Sequence, residues 1–379
     1  MHPRSTMSAL LLAACVSVAS AADGIRDRAP ACGPLLIAHR GASAVLPEHT
    51  LAAYARAIED GADAIEPDLV STRDGVLVAR HENEIGGTTD VADHPGFAAR
   101  RTRKSIDGAW VEGWFTEDFT LAELKTLRAR EPRPAMRSTA YDGQFDVPTL
   151  EEIIALAAAA SVRAGRDIAL VPEIKHSSYF RAIGLPMEQR LMDILRAHPY
   201  TRRAPVIIQS FEVGNLRSLH AMASDLTNLR LLQLIGDPAT RPADIDAGAG
   251  IRYASMLEPD GLRDIAGYAA LIGPPFQLLG LERDDAGGIR SRLIEDAHAA
   301  GLQVMPYTFR PENGFLPADY RDGPPDARND AGSIRHVRDH LAAGIDGLFA
   351  DDPAVARLAL DADDVPDMPT CTGVPSPRG

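Results

Sequence analysis

No apolar run in this chain approaches the roughly 20 residues that cross a bilayer as a helix, so nothing in it reads as a transmembrane segment. Positive charge is also short. Against 53 Asp and Glu stand 39 Lys and Arg, a formal net charge of −14, which argues against a nucleic-acid groove as the main business of the surface. The local basic cluster Arg100-Arg101-Thr102-Arg103-Lys104 reads as solvated loop. Cysteine is scarce, three in 379 residues, and no Cys/His group has the spacing of a zinc site. What is present is an ordinary globular balance, 45% apolar and 24% charged. The length suits a single α/β barrel carrying insertions.

Residues 1–21 read as an export signal: Arg4 in a short leading region, an apolar stretch from about Ala9 to Val18, and Ala19-Ser20-Ala21 as a cleavage site. A second reading takes Leu12-Ala13-Ala14-Cys15 as a lipobox, with the chain lipid-anchored through Cys15. Either way the expected location is periplasmic or secreted. Cys32 and Cys371 would then meet oxidising conditions. A closed barrel brings its termini together, so a Cys32–Cys371 disulfide is expected.

A recurring joint carries the architecture. Ala57–Gly61 leads into Ala64-Ile65-Glu66, Ala297–Gly301 into Val304–Tyr307, and Leu341–Gly344 into Gly347–Ala350. A helix ending in Gly and passing into a buried strand is how a chain returns to a parallel sheet. Leu51, Tyr54, Ala55 and Ile58 follow helical spacing, as do Ile334, Val337 and Leu341 behind Ser333 as N-cap. Thr149 with Glu152 forms a capping box. Further strands are expected at Leu35–Ala38, Val76–Arg80, Ile168–Ile174, Val206–Ser210 and Leu229–Ile235. Together these predict a TIM-type β/α barrel over residues 33–360. An inserted subdomain (82–147) is expected after the third strand, with a helix at Leu121–Leu127. Residues 236–290 should hold one irregular βα unit, and 361–379 form a loose tail.

The chemistry starts with Glu66 and Asp68. Two residues apart on a strand, they project from one face, and burying two like charges is costly without a compensating cation. His39 and Arg40 close the strand Leu35–Ala38, and barrel sites sit at such C-terminal ends. The Asp74-Gly75 turn, folded as a hairpin, sets His81 opposite Pro67 and beside the carboxylates. Glu173 and Lys175 repeat the two-apart charged pattern. Glu66, Asp68 and Glu173 therefore form a candidate oxygen-ligand set for one hard divalent cation, Ca²⁺ or Mg²⁺. Arg40 and Lys175 supply positive charge for phosphate oxygens.

His39-Arg40-Gly41, Pro47-Glu48-His49-Thr50, Glu66-x-Asp68, Asp74-Gly75 leading to His81, Glu173-Ile174-Lys175 and the closing Gly344–Asp351 resemble the motif set of the glycerophosphodiester phosphodiesterase family. The likeness runs from about residue 35 to 358. It implies a β/α barrel, a bound divalent cation, and hydrolysis of a glycerophosphodiester to an alcohol and sn-glycerol 3-phosphate. It also implies metal ligation by Glu66, Asp68 and Glu173, acid–base work by His39 and His81, and phosphate contacts from Arg40 and Lys175. One departure stands out: the family usually has Asp after the second histidine, and here Glu82 follows. His39 is expected as base and His81 as acid, with water or the glycerol 2-hydroxyl as nucleophile. Alternatives at this stage are a related lyase releasing a cyclic phosphate and a non-catalytic phosphodiester-binding barrel.

Around this set, Glu48 is expected to orient His39 or Arg40, and Phe211 and Tyr307 to line the pocket. Trp110 and Trp114 are expected to form the core of the insertion. His49, His176, His298, His336 and His340 are expected on the surface, and Asp351-Asp352 as a cap of the following turn.

Overall fold

The computed structural model describes residues 33–361. The export signal, Cys15, Cys32, Cys371 and the tail from residue 362 lie outside the described residues.

The fold is a β/α barrel. Leu35–His39, Ala64–Glu66, Ala169–Leu170, Val206–Ser210, Leu229–Leu234, Leu271–Gly273 and Gln303–Val304 lie side by side in chain order, and Gly347–Ala350 flanks the first. Each pairing along this path is parallel. The ring closes where Asp346 N donates to Val304 O (2.9 Å), Phe349 N to Pro306 O (3.1 Å) and Phe309 N to Phe349 O (2.8 Å).

Strand alternation sorts the apolar residues into two layers. Ile37, Ala64, Val171, Ile207, Leu232 and Phe349 belong to a small interior cluster. Their neighbours Leu36, Ala38 and Ile65 pack with Tyr54 and Ala57 under the helices. Burial of each Val, Leu, Ile or Phe among these contributes roughly 1.5–3 kcal/mol. His39 has the parity of Ile37, and Glu66 that of Ala64. The period that fills the barrel therefore also places these two over its C-terminal mouth.

The helices begin and end as their sequences direct. Thr50 caps Leu51–Glu59, and Thr149 with Glu152 makes a reciprocal box on Leu150–Ala164. Gly61, Gly301 and Gly344 all hold positive φ at the return joints (91°, 83° and 94°), which favours glycine there. The helix Asp330–Ala342 corrects one expectation. Its cap is Asn329, whose side chain accepts from Gly332 N at 2.8 Å, so Ser333 lies inside the helix.

Prolines break two strands. The second barrel strand resumes after Pro67 as Asp68–Ser71, and Ile168–Ile174 forms only Ala169–Leu170 and Glu173–Ile174 around Pro172. A proline has no N–H to give the ladder. Leu77–Ala79 pairs antiparallel with Asp68–Ser71, Leu69 opposite Ala79. Extended by two residues, that register sets His81 opposite Pro67. It is a hairpin arm and not a barrel strand, so residues 82–147 separate the second barrel strand from the third.

Within 82–147 the chain forms a hairpin, Thr102–Ile106 with Ala109–Gly113, and a short helix, Leu121–Leu124. The helix stops short of Leu127, with Lys125 as its C-cap, and Thr126 Oγ1 bonds back to Glu123 O at 2.7 Å. Trp114 packs on the core and its Nε1 donates to Phe97 O at 2.8 Å. Trp110 does not: on the outer face of the hairpin it is 65% exposed, beneath the Arg103 guanidinium.

Candidate active site

Register rows across the parallel strands assemble the charged groups. His39 stands beside Glu66, and Asp68 beside Glu173, which in turn neighbours Gln209. One carboxylate oxygen each from Glu66, Asp68 and Glu173 lies within 4.8 Å of the others, and all three residues are buried. The crowding shows in their protonation. Burial and the neighbouring Asp68 and Glu173 charges push the Glu66 carboxyl well up. Glu173 rises to about 8 through burial, offset in part by Lys175. Asp68 goes the other way: Lys175 and His49 outweigh its burial and keep it charged.

The donor set fits a hard divalent cation. Asp68 Oδ1 is buried without a hydrogen-bond partner, and Lys175 Nζ lies 3.4 Å away. Three carboxylates and no sulfur or imidazole at the centre suit Ca²⁺ or Mg²⁺ chemistry. Beside it, Arg40 Nε is a buried donor without a hydrogen bond, ion-paired at 3.6 Å with Asp68 Oδ2. Arg40 N donates to Glu66 Oε2 at 2.8 Å, and its Nη1 to Glu48 Oε2 at 3.0 Å. Glu48 is thus the partner of Arg40. Burial disfavours the Arg40 charge, yet Glu48, Asp68 and Asp351 raise its pKa above the ordinary arginine value. Lys175 lies 2.9 Å from Glu173 Oε1 and 5.8 Å from the centre of the Phe211 ring.

Two histidines flank this centre, each backed by a carboxylate. His39 Nδ1 lies 2.5 Å from Asp351 Oδ1. Burial and the adjacent Arg40 hold its pKa down to about 3, so the imidazole is neutral. His81 Nδ1 lies 3.0 Å from Glu82 Oε1, and burial with Arg40 and Lys175 lowers its pKa to about 4. Both rings line a cavity of about 500 Å³ whose walls include Phe211 and Tyr307.

The structure revises several sequence expectations. Asp352 is the cap, accepting from Val355 N, but Asp351 is the partner of His39. Its second oxygen accepts from Arg137 at 2.6 Å and Arg310 at 2.8 Å. His49 is not on the surface. It is fully buried, with Nε2 2.9 Å from Asp68 Oδ2 and Nδ1 2.7 Å from the Tyr54 hydroxyl. A carboxylate only accepts, so Nε2 carries the proton and Nδ1 accepts from tyrosine. His176 bonds through both ring nitrogens to Glu82 and Asp107. His336 and His340 are buried beside Phe276 and Phe309. His298 alone of the five is exposed, and it pairs with Asp346. Gln209, absent from the expected site, donates to Glu66 Oε1 at 2.9 Å. Its place at a strand end next to Phe211 was the one available signal.

Comparison with known proteins shows the family. Residues 39–355 match the Glycerophosphoryl diester phosphodiesterase family. The chain is similar to the glycerophosphodiester phosphodiesterase GDPD6 of Arabidopsis thaliana, 34% identical over 84% of this chain and 83% of that protein. It is also similar to the glycerophosphodiester phosphodiesterase of Haemophilus influenzae, 25% identical over 92% and 95%. Among solved structures, a putative glycerophosphoryl diester phosphodiesterase from Silicibacter pomeroyi superposes with a TM-score of 0.58 at 22% identity, covering 86% of this chain and 93% of that one. A phosphodiesterase from Oleispira antarctica, in complex with the product sn-glycerol-3-phosphate, gives 0.54 at 19% identity, over 87% and 97%. Among the described residues no helix is long and apolar enough to cross a membrane. The chain belongs to the glycerophosphoryl diester phosphodiesterase family, a family of phosphoric diester hydrolases.

Proposed function

We propose that this protein hydrolyses glycerophosphodiesters to an alcohol and sn-glycerol 3-phosphate, with a divalent cation on Glu66, Asp68 and Glu173 and with His39 and His81 moving the protons. The observation that carries the reading is the juxtaposition at the barrel mouth. A buried acceptor without a hydrogen bond (Asp68 Oδ1) and a buried donor without one (Arg40 Nε) stand side by side. The first suits a cation and the second an anionic oxygen. When bound, the cation would offset negative charge on the phosphoryl oxygens.

The chain's own residues supply the rest. Arg40 and Lys175 offer fixed positive charge to the phosphodiester and, more strongly, to its transition state. His39, neutral and held at Nδ1 by Asp351, is the base that takes the nucleophile's proton at Nε2. His81, which lines the same cavity, gives a proton to the departing alkoxide. The bound phosphodiester anion raises its pKa toward the range this needs. Phe211 and Tyr307 meet edge to face at 6.1 Å and exclude water from one wall. The export reading of residues 1–21 belongs to the same proposal and places the reaction outside the cytoplasm.

Phosphorus NMR of the products tests the reaction. With glycerophosphocholine and Ca²⁺ or Mg²⁺, sn-glycerol 3-phosphate should accumulate. A cyclic phosphate as end product would make the protein a lyase, and no turnover of any glycerophosphodiester would leave only binding.

A further inference from the structure

Behind His81 a chain of ionisable groups runs out of the cavity. Glu82 Oε1 lies 3.0 Å from His81 Nδ1, and its Oε2 lies 3.0 Å from His176 Nε2. His176 Nδ1 then lies 2.6 Å from Asp107 Oδ2. The four residues come from three separate segments. His81 and Glu82 follow the hairpin arm, His176 follows Lys175, and Asp107 sits in the turn between Thr102–Ile106 and Ala109–Gly113. An aspartate at position 82 would be one methylene shorter and would draw its carboxylate back from the two imidazoles that Glu82 meets at 3.0 Å.

A second observation falls on the same residues. Among the described residues, four that are not glycine hold positive φ: Arg40, His49, Asp107 and His176. At Asp107 this is the ordinary requirement of the two-residue Asp107-Gly108 hairpin turn; at His176 (φ 50°) it costs on the order of 1 kcal/mol or more and persists where the surroundings impose it. Two of the four belong to the central site, and the other two are the outer members of this chain.

We propose that Glu82, His176 and Asp107 form a positioning relay that holds the His81 imidazole with its Nδ1–H toward Glu82 and its Nε2 toward the phosphodiester. The inserted hairpin thereby takes part in the reaction proposed above, on which this inference rests. His176, between two carboxylates, is a cation at neutral pH; burial opposes the charge, but Asp107 and Glu82 raise its pKa to about 9. It keeps Glu82 ionised and fixed in direction. The logic is that of a histidine oriented by a third group.

Two substitutions test this without touching the cavity. Asp107→Asn changes an exposed turn residue to one that tolerates the left-handed backbone, and His176→Gln removes the cation. Each should lower kcat roughly 10-fold while KM stays within about twofold, the size of effect that partners behind a functional group show. Glu82→Asp should do the same, and Glu82→Asp combined with His176→Gln should lose little more than either alone. Nitrogen NMR of labelled histidine gives a readout independent of turnover. His81 should be a single Nδ1–H tautomer in the parent protein and a mixture in Asp107→Asn and His176→Gln. An unchanged tautomer, or kcat losses that simply multiply in the double variant, would overturn the relay. Absence of turnover in the parent protein would contradict the hydrolase reading instead, and the tautomer would still decide the relay.

Discussion

Asp351 shows how much rests on one residue. One oxygen orients His39 while the other is held by Arg137 and Arg310. Asp351→Asn keeps the shape and removes the charge, so the tautomer of His39 is no longer fixed. We expect kcat to fall roughly 100-fold or more with the fold retained; wild-type kcat in a folded Asp351→Asn protein would show that His39 needs no such partner. His39→Ala and His81→Ala should each remove turnover, by about three orders of magnitude, with unchanged circular dichroism. At the carboxylate triad, Glu66→Gln should abolish the rise in melting temperature on adding Ca²⁺ if the cation sits there, since a ligand stabilises only the state that binds it. An undiminished shift would place the cation elsewhere.

The same residues show where sequence reasoning reached and where it stopped. Glu66, Asp68 and His81 are close along the chain, so strand alternation and one hairpin turn suffice to gather them. Asp351 is 312 positions from His39. No local pattern separates it from Asp352, whose role as a cap is local and was legible. His49 looked like a surface residue because its burial depends on Asp68 and Tyr54 arriving from other elements. His176 and Asp107 meet only because the inserted hairpin folds back over the barrel mouth.

At the scale of elements, the insertion is tied to the barrel by buried charge. Arg137 donates to Glu312 Oε1 at 2.6 Å, to Ser43 O at 2.9 Å and to Asp351 at 2.6 Å, and is almost wholly buried. Removing one partner of such a cluster leaves the other charges uncompensated, which costs about 3–5 kcal/mol. Arg137→Ala should therefore lower the urea midpoint of unfolding by a corresponding amount. A loss of about 1 kcal/mol or less would mean that Glu312 and Asp351 find other partners. The strand breaks at Pro67 and Pro172 belong to this scale as well. Barrel strands were legible as apolar runs, but each break falls next to a carboxylate of the buried triad, Asp68 and Glu173, where the ladder yields to the site.

For the whole molecule, pH sets a limit through histidines that do not line the cavity. His336 is buried with neither ring nitrogen hydrogen-bonded, against Phe276, Phe309, Tyr320 and His340. Burial and the neighbouring His340 hold its pKa down to about 3. Below the unfolded value near 6.5 the unfolded chain takes up a proton that the folded chain refuses, so stability falls as pH drops from about 6.5 toward 3. His336→Phe should flatten that decline, visible in melting temperatures between pH 7 and 5; an equal decline in both proteins would assign the acid sensitivity elsewhere.

The central claim is that a cation on Glu66, Asp68 and Glu173 and the histidine pair act on one phosphodiester. It is tested most directly by stripping the purified protein with a chelator and measuring sn-glycerol 3-phosphate release from glycerophosphocholine before and after adding back Ca²⁺ or Mg²⁺. The account predicts no release from the stripped protein and full recovery on addition, with no recovery in Glu66→Gln. Equal release with and without the cation would contradict it.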